Sequence, residues 1–379
     1  MANGAVNGFT DDRFGEVRKV FEDNLTSGRD VGASYCLTKK GETLVDLWGG
    51  WADEEKTRPW EKDTIVNVYS TTKTMTALTA LLVADRGELD FDAPVAKYWP
   101  EFAANGKADI KVSHLMSHSA GLSGWKEPIT SAVLYDWEKA TSLLAAQAPF
   151  WEPGTASGYH AVTQGYLVGE VVRRITGKSL GTVFREEIAE PLGADFHIGL
   201  PASEDHRVAH LIPMPPSEAS ITTGEPTDIS RSISNPPINP LETRTREWRG
   251  AEIPAAGGTG NARSVAQIHI LMANGGAAGG KQILSEAGVR KALECQIDGI
   301  DLVFGTHTRY GMGFGLAGGL VPLPSPNCIY WGGYGGSIII IDMDANTTLS
   351  FAMNKMASTT QGDMRAFSLA MASWQALAA

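Results

Sequence analysis

Between Asp63 and Asp85 only one side chain is charged at neutral pH, Lys73, in the run TIVNVYSTTKTMTALTALLVA (64–84). A helix without a charged face is expected to be buried all round, so the rest of the chain must be built around it. Gly87 stands where a C′ glycine would end it. A buried ammonium is costly, and desolvation lowers its pKa unless a partner compensates. Ser70 lies three residues before Lys73, and residues three apart share a helix face, so Lys73 Nζ can reach Ser70 Oγ. Ser70 would sit near the helix N-terminus, where free N–H groups and the dipole favour negative charge. The competing reading is a lysine whose stem lies on apolar surface while its ammonium stays in solvent.

The segment GASYCLTKKGETLVDLWGGW (32–51) reads as two strands around a Lys-Lys-Gly-Glu turn. Residues from about 90 to 210 carry mostly helical patterns, for example TQGYLVGEVVRRITG (163–177). Eight of the nineteen prolines fall within 213–254, a density that predicts a long loop without regular elements. NCIYWGGYGGSIIIIDMDANTTLSFAMNK (327–355) reads as strands joined by an Asp-Ala-Asn turn, and FSLAMASWQAL as a closing amphipathic helix. Strands thus lie at both ends with helices between them. The expected class is α+β: an antiparallel sheet assembled from both termini, flanked by helices, with an inserted helical domain. The expected division is 1–89 with 255–379 as the α/β part and 90–254 as the mostly helical part.

Length and charge narrow the function classes. At 379 residues with 43% hydrophobic and 20% charged side chains, the chain can bury a large core. Its formal charge of −11 argues against a nucleic-acid or anionic-membrane surface, which needs clustered Lys and Arg. No apolar run reaches the roughly 18 residues needed to span a bilayer, and the first residues lack the pattern of a signal peptide. Cys36, Cys295 and Cys328 have no metal-type spacing, which points to a reduced, cytoplasmic protein. GKSLG (177–181) matches a nucleophile elbow, but it follows a helix rather than a strand. Gly177 then reads as a C′ glycine and Ser179 as an N-cap. The pairs His114/His118 and His206/His210 lack the Glu of a zinc motif, and no metal is expected. GMGFG (311–315) does not open a helix after a strand, so no dinucleotide site is inferred.

Three further stretches accompany Ser70-Thr71-Thr72-Lys73. LMSHSAGL (115–122) precedes PGTASGYHAVTQGYLVGEVVRRITG (153–177), which places Tyr159 just before a helix, and IYWGGYGG (329–336) lies on a strand near the C-terminus. Alone, Tyr159 reads as a core tyrosine and Trp331 as a strand aromatic. The glycines beside Trp331 instead mark close approach of a backbone or ligand. Together, from about residue 10 to 375, these stretches resemble the serine β-lactamase/penicillin-binding-protein superfamily. Within it they are most similar to the branch of class C β-lactamases and family VIII carboxylesterases.

The resemblance implies a β-lactamase/transpeptidase-like fold with the site in a cleft between sheet and helical domain. It makes Ser70 the acylated nucleophile, Lys73 its helical partner and Tyr159 the tyrosine of the Y-x-N or Y-x-S motif. Ala161 departs from that motif's third position. Trp331-Gly332-Gly333 matches the K-T-G strand, with tryptophan in place of lysine, and the backbone N–H groups of Ser70 and Tyr334 would form the oxyanion hole. Lys73 or Tyr159 then serves as base. The lost lysine removes an anchor for a β-lactam carboxylate, so the expected substrate is a small short-chain or aryl ester. Trp125, Tyr135, Trp137, Trp151 and the proline-rich loop are candidate walls, each with core packing as the alternative. Rival readings are a weak β-lactamase, a D-amino-acid peptidase or amidase, an acyltransferase, or a silent binding protein on the same scaffold. No cofactor is implied, and oligomeric state is not readable.

Overall fold

Nine antiparallel strands form the main sheet. They are β1 (Asn7–Thr10), β2 (Gly32–Lys39), β3 (Glu42–Gly50), β4 (Ile297–Ile300), β5 (His307–Tyr310), β6 (Gly315–Leu316), β7 (Cys328–Gly332), β8 (Ile338–Asp342) and β9 (Thr347–Met353). Their spatial order is β1-β3-β2-β9-β8-β7-β6-β5-β4. This computed structural model describes residues 4–215, 227–319 and 321–379.

The N- and C-terminal parts meet at the β2–β9 seam, where Tyr35 faces Phe351 and Leu37 faces Leu349. The expectation of a sheet built from both termini is met. The β2–β3 turn falls at Lys40 and Gly41, with φ of 52° and 85°, the left-handed pair that a two-residue hairpin turn requires. At the β8–β9 turn Asn346 has φ 53°.

Both faces of the sheet are covered, which explains the unbroken isoleucines of β8. Ile338 and Ile340 join the core under α1 (Gly15–Thr26) and a C-terminal helix, Met364–Ala378, with Phe14, Phe21 and Leu369. Ile339 and Ile341 join the larger core on the opposite face. A strand buried on both faces has no reason to alternate polar and apolar residues.

That larger core holds α2 (Thr72–Asp85), which is buried from Thr72 through Val83. Its Leu78, Leu81, Leu82 and Val83 are at most 1% exposed, and each contributes about 1.5–3 kcal/mol by leaving water. Around α2 pack α3 (Thr163–Thr176) and shorter helices, while α4 (Ala262–Ala273) lies on β9, β2 and β8 of the sheet. Gly87, at φ 77°, ends α2 as expected. Among the described residues no helix is long and apolar enough to cross a membrane.

The proline-rich stretch corrects the sequence reading. Residues 216–226, with Pro216 and Pro226, lie outside the described residues. The remainder carries a helix at Asp228–Ser232, a 3-10 turn at Pro240–Arg244 and a helix at Arg246–Gly250. Pro240 occupies a first helical position, where its missing N–H costs nothing, and Asn239 caps the turn by accepting from Leu241 N at 3.1 Å. The prolines bound short helices rather than abolish them. GKSLG behaves as expected: Gly177 has φ 72°, and Ser179 Oγ accepts from Thr182 N at 3.2 Å.

Candidate active site

The chain enters the site through a strained turn. A short strand, Val66–Asn67, leads into a 3-10 turn, Tyr69–Thr71, directly ahead of α2. Tyr69 has φ 44°, a conformation that costs a bulky residue about 1–3 kcal/mol. Its surroundings hold it there. Asn67 Oδ1 accepts from Tyr69 N at 3.1 Å, and the buried ring packs edge-on against Trp248 and Tyr334. The turn delivers Ser70 to the start of the helix.

Lys73 is fully buried, which rules out a solvent-seeking lysine. Its Nζ lies 3.0 Å from Ser70 Oγ, 2.6 Å from the Ala161 carbonyl and 3.0 Å from the Ala255 carbonyl. No carboxylate pairs with it among the described residues, and burial pushes its amine well below the usual lysine range. A neutral amine fits these partners. Its two N–H groups satisfy the two carbonyls, which can only accept, and its lone pair is left facing the Ser70 hydroxyl.

Tyr159 comes from the extended segment before α3. Its hydroxyl donates to Ser70 Oγ at 2.5 Å, and Lys73 Nζ lies 4.9 Å from its ring centroid. Burial pushes the phenol up, so it stays protonated, although hydrogen bonds with Ser70 and Trp331 act the other way. The segment is held on both sides. Gly158 N donates to the His118 carbonyl at 2.9 Å, His160 N to His118 Nδ1 at 3.1 Å, and Tyr159 N to Asp301 Oδ1 at 3.1 Å. Ala161, where the resembled motif carries a polar side chain, contributes its backbone carbonyl to Lys73 instead. His118 lies beyond the end of the Val112–Met116 helix with φ 58°, so His114 and His118 do not share a helix face.

The third wall is the end of β7. The Trp331 indole stacks on His118 at 5.2 Å between centroids and lies 6.1 Å from the Tyr159 ring. Beyond it the chain crosses the turn that carries Ser70 with no space to spare: a Cβ at Gly333 would sit 2.1 Å from the Val68 carbonyl. Ser337 staples the two segments, its hydroxyl donating to Val68 O at 2.8 Å. This is the close approach that the paired glycines foretold. The backbone N–H groups of Ser70 and Tyr334 donate to no protein acceptor among the described residues. Gly333→Ala should push β7 away from the turn and lower kcat on p-nitrophenyl butyrate by about 100-fold. A kcat within about threefold of the parent would show that this approach is not needed.

The structure brings Ser70, Lys73, Tyr159, Trp331, Gly332 and Gly333 together. It does not bring the other aromatic residues to Ser70. Trp125 is 2% exposed, donates its indole N–H to the Ala140 carbonyl and packs edge-on against Tyr166. Trp151 donates to the Ala156 carbonyl, and its ring covers Gly158. Tyr135 and Trp137 donate to Glu242 and Glu170. Trp125 lies in the core, and Tyr135 and Trp137 pack against it, so Trp125 is corrected as a substrate wall, while Trp151 is half-buried beside His160.

Sequence reasoning missed the Pro254–Gly258 loop. Gly165 of α3 admits it, since a Cβ there would meet Ala255 N at 2.4 Å, and so the Ala255 carbonyl reaches Lys73. A backbone acceptor has no side-chain signature; the only signal was the small-residue run Ala255-Ala256-Gly257-Gly258. Among the described residues no group of His, Cys, Asp and Glu could hold a metal ion.

Along most of its length the chain is similar to known proteins. The family model described as "Beta-lactamase" matches residues 17–372. A crystal structure of a family VIII carboxylesterase is 43% identical with a TM-score of 0.93, over 98% of this chain and 100% of that one. A penicillin-binding protein homolog from Caulobacter crescentus is 36% identical with a TM-score of 0.91, again over 98% and 100%. The esterase/beta-lactamase LipL of Mycobacterium tuberculosis is 38% identical over 294 residues, 75% of this chain and 68% of LipL. With a match that runs almost from end to end, this chain belongs to the β-lactamase family.

Proposed function

We propose that this chain is a serine carboxylesterase that hydrolyses short-chain or aryl esters through an acyl-enzyme on Ser70. One observation carries the reading: a serine hydroxyl lies 3.0 Å from a buried lysine without a carboxylate and 2.5 Å from a buried phenol. The names of its relatives, a family VIII carboxylesterase and an esterase/beta-lactamase, support it.

In acylation, neutral Lys73 takes the Ser70 proton as Oγ bonds to the ester carbonyl carbon. The oxyanion accepts from the backbone N–H groups of Ser70 and Tyr334. As the carbon–oxygen bond to the alcohol breaks, Tyr159 gives its proton to the leaving oxygen and regains one from the Lys73 ammonium. Water then attacks the acyl carbonyl, one of its protons returns to Ser70 Oγ, and the acid leaves. The raised phenol supports proton delivery by Tyr159, and the lowered amine supports Lys73 as the base.

The ester assignment rests on the cleft beside Tyr159. Phe304, Tyr310, Tyr330, Trp331, Thr360 and Gln361 line it, and none carries a charge. Arg365, which reaches the Gly335 carbonyl, is committed to Asp30 at 2.8 Å and Asp363 at 2.6 Å. A β-lactam carboxylate would find no cation among these residues to pair with, which favours a neutral ester. We expect kcat/KM for p-nitrophenyl butyrate to exceed that for nitrocefin by about 10³-fold or more. The reverse order would establish β-lactam hydrolysis, the reading that the mycobacterial relative's double name favours. The three free cysteines suit a reducing compartment, and we assign the enzyme to the cytoplasm.

A further inference from the structure

Asp301 is fully buried and 142 residues away from Tyr159 in sequence. Its Oδ1 accepts from three backbone N–H groups: Val303 at 2.9 Å, Phe304 at 3.0 Å and Tyr159 at 3.1 Å. The first two, two and three residues on, are what an aspartate opening a tight loop ordinarily makes. The third crosses to the segment that carries the phenol. Leu302 N donates to the Ser157 carbonyl at 2.8 Å, so the loop and the segment are joined on either side of the carboxyl. Phe304, held by the same oxygen, stacks on the Tyr159 ring at 4.7 Å between centroids and 25° between planes. Backbone and ring of Tyr159 are therefore both referred to one atom.

We propose that Asp301 is a positioning residue for the Tyr159 phenol: its Oδ1 clamps the backbone of Tyr159 to the Phe304 loop and thereby sets the 2.5 Å contact with Ser70. The inference rests on the role given to Tyr159 above. It also says which property of Asp301 matters. Burial pushes the carboxyl up, and the groups that pull it back are the N–H donors of Phe304, Tyr159 and Val303, then the Ser157 hydroxyl. An acceptor oxygen at this position is required and a negative charge is not, so asparagine should serve.

The test is a double-mutant cycle on p-nitrophenyl butyrate hydrolysis. Asp301→Ala should lower kcat by about 100-fold with KM within about threefold. Asp301→Asn should stay within about fivefold of the parent. Tyr159→Phe should itself be impaired, and adding Asp301→Ala to it should cost no more than about threefold further, because the phenol that Asp301 aims is already gone. A loop-capping role alone predicts the same loss in both backgrounds, and that result would overturn the proposal, as would an Asp301→Ala enzyme with unchanged kcat. If Asp301→Ala yields no folded protein, Asp301→Glu decides: it keeps the charge but shifts the oxygen by one methylene, so activity should fall, and parental activity would overturn the clamp. A fully active Tyr159→Phe enzyme would instead remove the role of the phenol, and the proposal with it.

Discussion

Replacing Ser70 by alanine lowers kcat on p-nitrophenyl butyrate by about 10⁴-fold or more, the largest loss expected of any single substitution here. Acylation has no other acceptor at this point of the cleft, because Thr71 and Thr72 turn their hydroxyls elsewhere. Thr71 Oγ1 bonds the Ser337 hydroxyl at 3.0 Å, and Thr72 Oγ1 accepts from Gly258 N at 2.9 Å. The variant should still fold. It removes one oxygen from a turn held by Asn67, Trp248 and Tyr334, and leaves the Tyr159 hydroxyl proton without its Ser70 acceptor at a cost of about 1–3 kcal/mol. Steady-state kinetics beside a thermal melt separates the two effects. Appreciable turnover by the alanine variant would move the nucleophile elsewhere.

Lys73→Arg is the second large effect, and it isolates protonation from charge. Arginine places a permanent cation at this position and can donate to the Ala161 and Ala255 carbonyls, but it does not deprotonate in proteins and so offers no lone pair to the Ser70 hydroxyl. We expect kcat/KM to fall by about 10³-fold, within the range for removal of a general base. The sign of the pH dependence follows from the wild-type lysine. Burial lowers its pKa, so the neutral, active form grows in as pH rises through that lowered value, and activity climbs to a plateau. The raised Tyr159 phenol stays protonated past the pH at which a free phenol would ionise, so the plateau extends into the alkaline range. In the arginine variant the acid limb should vanish along with the rate. Near-parental activity for arginine would mean that a positive charge, rather than a proton acceptor, is what position 73 supplies.

Much of this site could be read in the sequence because it is built from side chains with few alternative explanations. A single charge in a run of 21 residues that folds into a buried strand, turn and helix has to be accommodated, and Ser70 at i−3 is the nearest group able to use it. Gly332 and Gly333 announced a close approach because a strand interior otherwise excludes them, and the Lys40-Gly41 turn fixed the register of β2 on β3. What stayed hidden is made by backbone and by long-range packing. The Ala255 carbonyl reaches Lys73 only because Gly165 admits a loop some 90 residues further on. Asp301 meets Tyr159 across the fold, and the left-handed turn at Tyr69 is imposed by Trp248 and Tyr334. An aromatic residue misled for a related reason: tryptophan suits a pocket wall and a core equally well, and only its packing on Tyr166 and its bond to the Ala140 carbonyl show that Trp125 chose the core. Counting prolines misled because it ignored where in a short helix a proline is tolerated.

Central to the account is a Ser70 hydroxyl activated by a neutral Lys73. The most direct test is the rate at which a fluorophosphonate labels the wild-type enzyme as a function of pH, with the adduct mapped by peptide mass spectrometry. The account predicts an adduct on Ser70 and a rate that reaches its plateau well below pH 10.5, the value of an ordinary lysine. An adduct on another residue, or a rate still climbing as pH passes through that ordinary lysine value, would contradict it.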